Sequence, residues 1–190
     1  SPHLGKNSLI EGGKVVCTLS DLSKEYESLR TDCSNLFPEV AKFPVLTVST
    51  MQSGSAINIV PDRCDIGIGM RLLPDQNKQE VVDQIKGAIA AVCKLPWELE
   101  ELGNNPTMLT SKNSAINNWL CKYIGQLQSV GVSYGTDGGY LSQGGYSCVL
   151  YGAGDIAVAH KPDEYVPISE MQTCVQTINA AVHHFCGEST

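Results

Sequence analysis

The sequence predicts an α+β chain in two parts: a ferredoxin-like βαββαβ sandwich lacking its first strand over residues 1–104, then an α/β segment over residues 105–190. Three observations predict it. Apolar residues between Asn7 and Leu29, and again between Lys78 and Cys93, recur every three or four positions, the period of an amphipathic helix. Between those helices lie two strand-like runs, Val45–Thr50 and Arg63–Leu72, and the second alternates strictly. The run Gly103-Asn104-Asn105-Pro106 then breaks the pattern and marks a boundary.

The first helix carries Val15, Val16, Leu19, Leu22, Tyr26 and Leu29 on one stripe, with Gly12 and Gly13 weakening its early turns. Pro38 and Pro44 bracket a break, and Val45–Thr50 is β-branched. Gly54 is placed for a turn or bulge. In the next strand Cys64, Ile66, Ile68, Met70 and Leu72 share the core face, and Asp65, Gly67, Gly69 and Arg71 share an open one. Asn77 caps the second helix, with Glu80 three residues on and a stripe of Val81, Ile85, Ala88, Ile89 and Val92. Trp97–Leu102 reads as the closing strand, and a strand before Ser1 completes the sandwich.

The second part predicts a helix over Ser114–Gln128, a Gly-rich segment over Tyr134–Gly145, and an apolar strand over Tyr146–Tyr151. A loop from Gly152 to Pro167 leads to a last helix capped by Ser169, with Met171, Val175, Ile178, Val182 and Phe185 on one stripe. An open α/β sheet buries both faces. One strand and two helices cannot do so, and Asn105–Thr190 is expected to expose apolar surface.

Composition narrows the class. The 190 residues are 42% hydrophobic and 17% charged, as in ordinary globular proteins. A net charge of −7 and a pI near 5.0 argue against nucleic acid or an anionic membrane as partner, since both need a basic surface. No apolar stretch approaches the roughly 20 residues of a membrane span. The eight cysteines are scattered singly, without zinc-ribbon or redox spacing, and point to a reducing cytosol. The start Ser-Pro-His, without Met, suggests that the natural N-terminus lies upstream.

Three segments offer chemistry. His160 follows the apolar strand by a short Gly-rich loop, in Ala159-His160-Lys161-Pro162-Asp163-Glu164-Tyr165, and imidazole is the commonest metal ligand. Asn58 offers a donor and an acceptor, and Arg71 a planar fork suited to a carboxylate. The loop Tyr134-Gly135-Thr136-Asp137-Gly138-Gly139-Tyr140 has backbone N–H groups that can cradle an anion. Taken singly, each has a plainer reading: a surface histidine, a turn with an ion pair, and a turn-rich loop.

Taken in order, the segments resemble one family of zinc-dependent amide hydrolases. It contains acetylornithine deacetylase, succinyl-diaminopimelate desuccinylase, aminoacylases and some zinc carboxypeptidases and dipeptidases. Ser1–Ile10 is similar to the opening of that family's lid domain, and Ala56–Pro74 to its lid strand pair. Gly135-Thr136-Asp137, Gly152-Ala153-Gly154 and His160–Val166 resemble its catalytic-domain ending, of a zinc-exopeptidase-like fold. The closing Val182-His183-His184-Phe185-Cys186 is most similar to the acetylornithine deacetylase branch.

The resemblance implies a lid and dimerisation domain over 1–104 and the end of a catalytic domain over 105–190. It implies two zinc ions per complete site, with His160 the one ligand this chain supplies. Asn58 and Arg71 would hold the substrate's carboxylate or acyl oxygen, often across a homodimer. Gly135, Thr136, Asp137, Gly152 and Gly154 would line the cleft. The substrate would be an N-acyl amino acid or small peptide, the location cytoplasmic. The alternative is a non-catalytic dimerisation or binding module on the same scaffold.

The rest of the family's metal set is absent. None of the four histidines (His3, His160, His183, His184) begins His-x-Asp. Glu100-Glu101 follows the lid, whereas the family's Glu-Glu pair, with its general base, precedes it. The general base is thus expected upstream of Ser1. Gly152-Ala153-Gly154-Asp155-Ile156-Ala157 fits a dinucleotide fingerprint, but Pro162 cuts short the helix it needs.

Overall fold

The computed structural model describes residues 5–187; Ser1–Leu4, with His3 and the start of the lid-opening resemblance, and Glu188–Thr190 lie outside the described residues. The chain divides into two compact units. One comprises Ser1–Thr107 with Val130–Gly135, the other Met108–Ser129 with Thr136–Thr190.

In the first unit, helix α1 (Ser8–Ser28) starts where Asn7 accepts the N–H groups of Leu9 and Ile10 at 3.0 and 3.2 Å. Strands β1 (Val45–Ser53) and β2 (Cys64–Arg71) form an antiparallel pair from Val45↔Arg71 to Ser53↔Cys64. Helix α2 (Lys78–Val92) is capped by Asn77, which accepts the N–H of Gln79. The core is Val15, Leu19 and Tyr26 of α1, Leu46 of β1, and Val81, Ile85 and Ile89 of α2. Ile66, Ile68, Met70 and Leu72 pack against it, as their alternation predicts. Both helices therefore cover one face of the hairpin and leave the face of Arg71 open.

The register breaks between Val48 and Thr50. The extra residue resets the phase, so Met51 opposite Ile66 shares the core face with Val48 opposite Ile68. That bulge explains Gly12. A Cβ there would lie 2.5 Å from Cys64 Sγ and 3.1 Å from Met51 Cε, while one at Gly13 meets nothing within 4 Å. Gly12→Ala is expected to destabilise the unit by about 1–3 kcal/mol despite a helix-propensity gain of about 1 kcal/mol. Cys64→Ala should restore most of the loss, and Gly13→Ala should be neutral to stabilising. Urea midpoints of these three variants and the parent chain test this; a more stable Gly12→Ala protein would contradict the close approach.

A second tie fixes the break before β1. Asp75 accepts the Thr31 hydroxyl at 2.8 Å and the Cys33 N–H at 3.0 Å. Burial opposes its charge, but these hydrogen bonds prevail and hold its carboxyl below the usual range. Burial, then the charge of Asp75, pushes the Cys33 thiol up.

The expected closing strand does not form. Trp97–Leu102 is in no strand among the described residues, although Leu99 packs on the core and Glu101 pairs with Lys78. A strand is defined by its hydrogen bonds to a neighbour, and Trp97–Leu102 pairs with neither β1 nor β2. The described sheet thus has two strands.

The second unit holds α3 (Ala115–Ile124), α4 (Gly138–Gln143) and α5 (Ile168–Cys186). Helix α3 stops four residues before the expected Gln128, because Gly125 takes a left-handed cap at φ 72° and ψ 21°. Helix α5 begins one residue before Ser169; Pro167 stands at its cap, and Ser169 is already helical. Trp119 of α3 stacks on Tyr123 and on His184 of α5, at 4.9 and 5.5 Å between ring centres, with Phe185 edge-on.

Tyr146–Tyr151 is not a strand among the described residues, for the same want of a neighbouring strand. Met171, Val175, Ile178, Val182 and Phe185 are each at least 43% exposed, the uncovered apolar surface expected of this part.

Candidate functional site

In the first unit the candidate residues lie on and beside the open hairpin. Asn58 is exposed in the loop joining β1 to β2, between Ile57 and Ile59, which are exposed too. Gly54 opens that loop at φ +76°, as its sequence position suggests. Arg71 stands at the far end of β2. Seven strand steps of about 3.3 Å put it roughly 20 Å or more from Asn58. The two side chains therefore stand toward opposite ends of one hairpin.

Arg71 has a local partner that the sequence did not reveal: its guanidinium donates to the Ser133 carbonyl at 2.7 Å. Ser133 is held there because Gly131 N–H donates to Leu36 O at 2.7 Å. A Cβ at Gly131 would lie 2.6 Å from the Phe37 ring, so only glycine allows this approach. Arg71 remains exposed, on the bare floor its alternation predicts. Gly135, also exposed, closes this segment.

In the second unit Thr136 and Asp137 form the entry to α4. Thr136 Oγ1 accepts the Gly138 N–H at 3.2 Å, and the Asp137 carbonyl accepts the N–H groups of Tyr140 and Leu141. Gly138 and Gly139 are buried, and a Cβ at Gly138 would meet Met108 Sδ at 2.5 Å. The Gly-rich run is thus a packed turn into a short helix.

Gly152 is exposed and open on all sides. Gly154 takes φ +95°, and its N–H donates to Glu170 Oε2 at 2.9 Å. The chain then forms a 3-10 turn, Ile156–Val158, and not the long helix a dinucleotide fold requires.

His160 is exposed, with a left-handed backbone at φ 60°. Its N–H donates to Glu164 Oε2 at 3.0 Å. An exposed imidazole is a fit donor for zinc. Among the described residues no three His, Cys, Asp or Glu side chains gather to hold a metal ion, while ordinary zinc sites take three or four protein ligands. His183 and His184 sit in the last turn of α5, His184 engaged with Trp119. Glu101 is exposed and paired with Lys78. Glu164 and Glu170, which tie the loop from downstream, are the residues the sequence reading missed; the Pro162-Asp163 turn signal between His160 and Glu164 was legible.

A family model described as a peptidase dimerisation domain matches residues 1–95, the unit of two helices over a hairpin. Acetylornithine deacetylase of Myxococcus xanthus is 25% identical over 190 residues, covering 98% of this chain and 49% of that protein. Acetylornithine deacetylase of Buchnera aphidicola subsp. Acyrthosiphon pisum is 24% identical, covering 98% and 48%. N-acetyl-L-citrulline deacetylase of Xanthomonas campestris is 38% identical over 52 residues, 27% of this chain and 14% of that protein. The chain spans about half the length of the curated acetylornithine deacetylases it matches. With half of its residues matched and relatives aligned along nearly all of it, the chain belongs to the M20 peptidase dimerisation-domain family.

Proposed function

We propose that this chain is the lid and the closing portion of the catalytic domain of a metal-dependent hydrolase that cuts the amide bond of an N-acyl amino acid or small peptide. The observation that carries the reading is His160. It is an exposed imidazole on a tied loop after a Gly-x-Gly turn, in a chain whose relatives along 98% of its length are named as deacetylases.

In this reading residues 1–104 are the lid and 105–190 the catalytic portion. Trp97–Leu102, already against the core through Leu99, is the outer strand of a four-stranded ferredoxin-like sheet awaiting its neighbour. His160 supplies one ligand to one of two zinc ions. Bound zinc supplies an acidified water for attack on the amide carbonyl. Arg71 takes a substrate carboxylate through the donors it does not give to Ser133. Asn58, at the other end of the hairpin, serves a different substrate atom or the second copy's site. Gly135, Thr136, Asp137, Gly152 and Gly154 line the cleft. The lids pair two copies into a homodimer, and the enzyme is cytosolic.

A second reading is a non-catalytic dimerisation module. It is favoured by the family match falling wholly within residues 1–95. Assays on N-acetyl amino acids separate the two. The pure 190-residue chain should release no amino acid above background with added zinc. A preparation that also contains the other half of the relatives' length should do so, and lose activity to a chelator. Hydrolysis by the chain alone would refute the division of the site; an inert, zinc-free complete protein would establish the module.

A further inference from the structure

We infer that Glu164 is a positioning residue, which fixes the direction of His160 by holding its backbone rather than by touching its ring or a metal. The inference rests on the reading of His160 as a ligand and adds how this chain aims it.

The left-handed backbone at His160 is disfavoured for any residue with a Cβ, so something must hold it. Two features do. The first is the turn Lys161-Pro162-Asp163-Glu164, closed by Glu164 N–H donating to Lys161 O at 3.2 Å. Pro162 presets the first central position, and Asp163 takes φ 62° at the second, the arrangement of a type II turn. The turn sends the chain back on itself. The second is the result of that reversal: the Glu164 carboxylate returns to the His160 N–H, four residues upstream, and accepts it at 3.0 Å.

Gly154 repeats the pattern, with its N–H held at 2.9 Å by Glu170. Two downstream carboxylates thus tie the upstream backbone of the 152–167 loop, one at a glycine and one at the candidate ligand. Releasing the tie would let His160 return to an extended backbone and swing its ring off target.

Amide hydrogen exchange at His160 in the ¹⁵N-labelled full chain tests this. A hydrogen bond to a carboxylate is expected to slow exchange there about tenfold. Glu164→Ala should remove that protection, and Glu164→Gln, whose amide oxygen still accepts, should restore most of it. The Glu164 amide, closed on Lys161, should change less than about twofold, which a general loosening of the loop would not spare.

Glycine adopts φ 60° freely. In a His160→Gly chain, Glu164→Ala should therefore leave the Lys161 shifts essentially unmoved, and this background serves if the single variant fails to fold. Unchanged His160 exchange in folded Glu164→Ala, or Gln behaving as Ala does, overturns the inference. Zinc added to the complete protein separates it from the parent reading. If the wild-type His160 ring signals stay unmoved, the ligand assignment fails, while the exchange data still decide the role of Glu164.

Discussion

His160→Ala in the complete, zinc-loaded protein is expected to lower kcat/KM on an N-acetyl amino acid by at least about 100-fold, since even outer-shell partners of metal ligands cost 10- to 100-fold. The loss should come with reduced zinc content. His183→Ala is the control: that residue shares the imidazole but lies in the last turn of α5, and activity should stay within about twofold. Parallel kinetics and metal analysis on the two variants make the check. Equal effects would mean that the histidine count matters and the loop does not. An active, zinc-replete His160→Ala protein would remove His160 from the site.

Leu19→Ala is expected to produce the largest loss of stability in the first unit. Leu19 is 1% exposed and sits at the centre of the cluster that joins α1, β1 and α2. Truncating a buried leucine removes its transfer energy and leaves a cavity, at a cost of about 2–5 kcal/mol. Against a total stability of about 5–15 kcal/mol, and with about 4 °C of Tm per kcal/mol in a unit slightly above 100 residues, the melt should fall by roughly 8–20 °C. Leu9→Ala lies on the same helix at a residue 43% exposed, and should shift the melt by only a few degrees. Melting followed by circular dichroism on the full chain reads both. Similar small shifts in the two would show that α1 is not packed as described.

The first unit was legible because its elements meet one another. The stripe Val15, Leu19, Tyr26 faces the stripe Val81, Ile85, Ile89 across the alternating face of β2, and each period is satisfied within the chain. The bulge at Val48/Thr50 escaped notice, since Val45–Thr50 carries no glycine or proline to mark it. Trp97–Leu102 and Tyr146–Tyr151 read as strands by composition but lack pairing partners among the described residues; a strand is a property of two segments, not one. Gly125 is a readable stop signal for α3, and it overrides the apolar pattern that continues toward Gln128.

The candidate site was legible as residue types and only partly as geometry. Arg71 on the open face followed from alternation, but its bond to Ser133, 62 positions away, had no sequence signature. The separation of Asn58 from Arg71 was implicit in the hairpin, because strand length sets it. His160 stood out through its resemblance, whereas the tie from Glu164 depends on a left-handed backbone that no local propensity announces.

The central claim is that position 160 presents a nitrogen to zinc. A crystal structure of the complete protein with zinc, phased on the metal's anomalous signal, tests it most directly. The account predicts a zinc peak about 2.0–2.1 Å from an imidazole nitrogen of His160, with the remaining ligands from outside residues 5–187. A fully ligated metal centre with the His160 ring turned to solvent would contradict it.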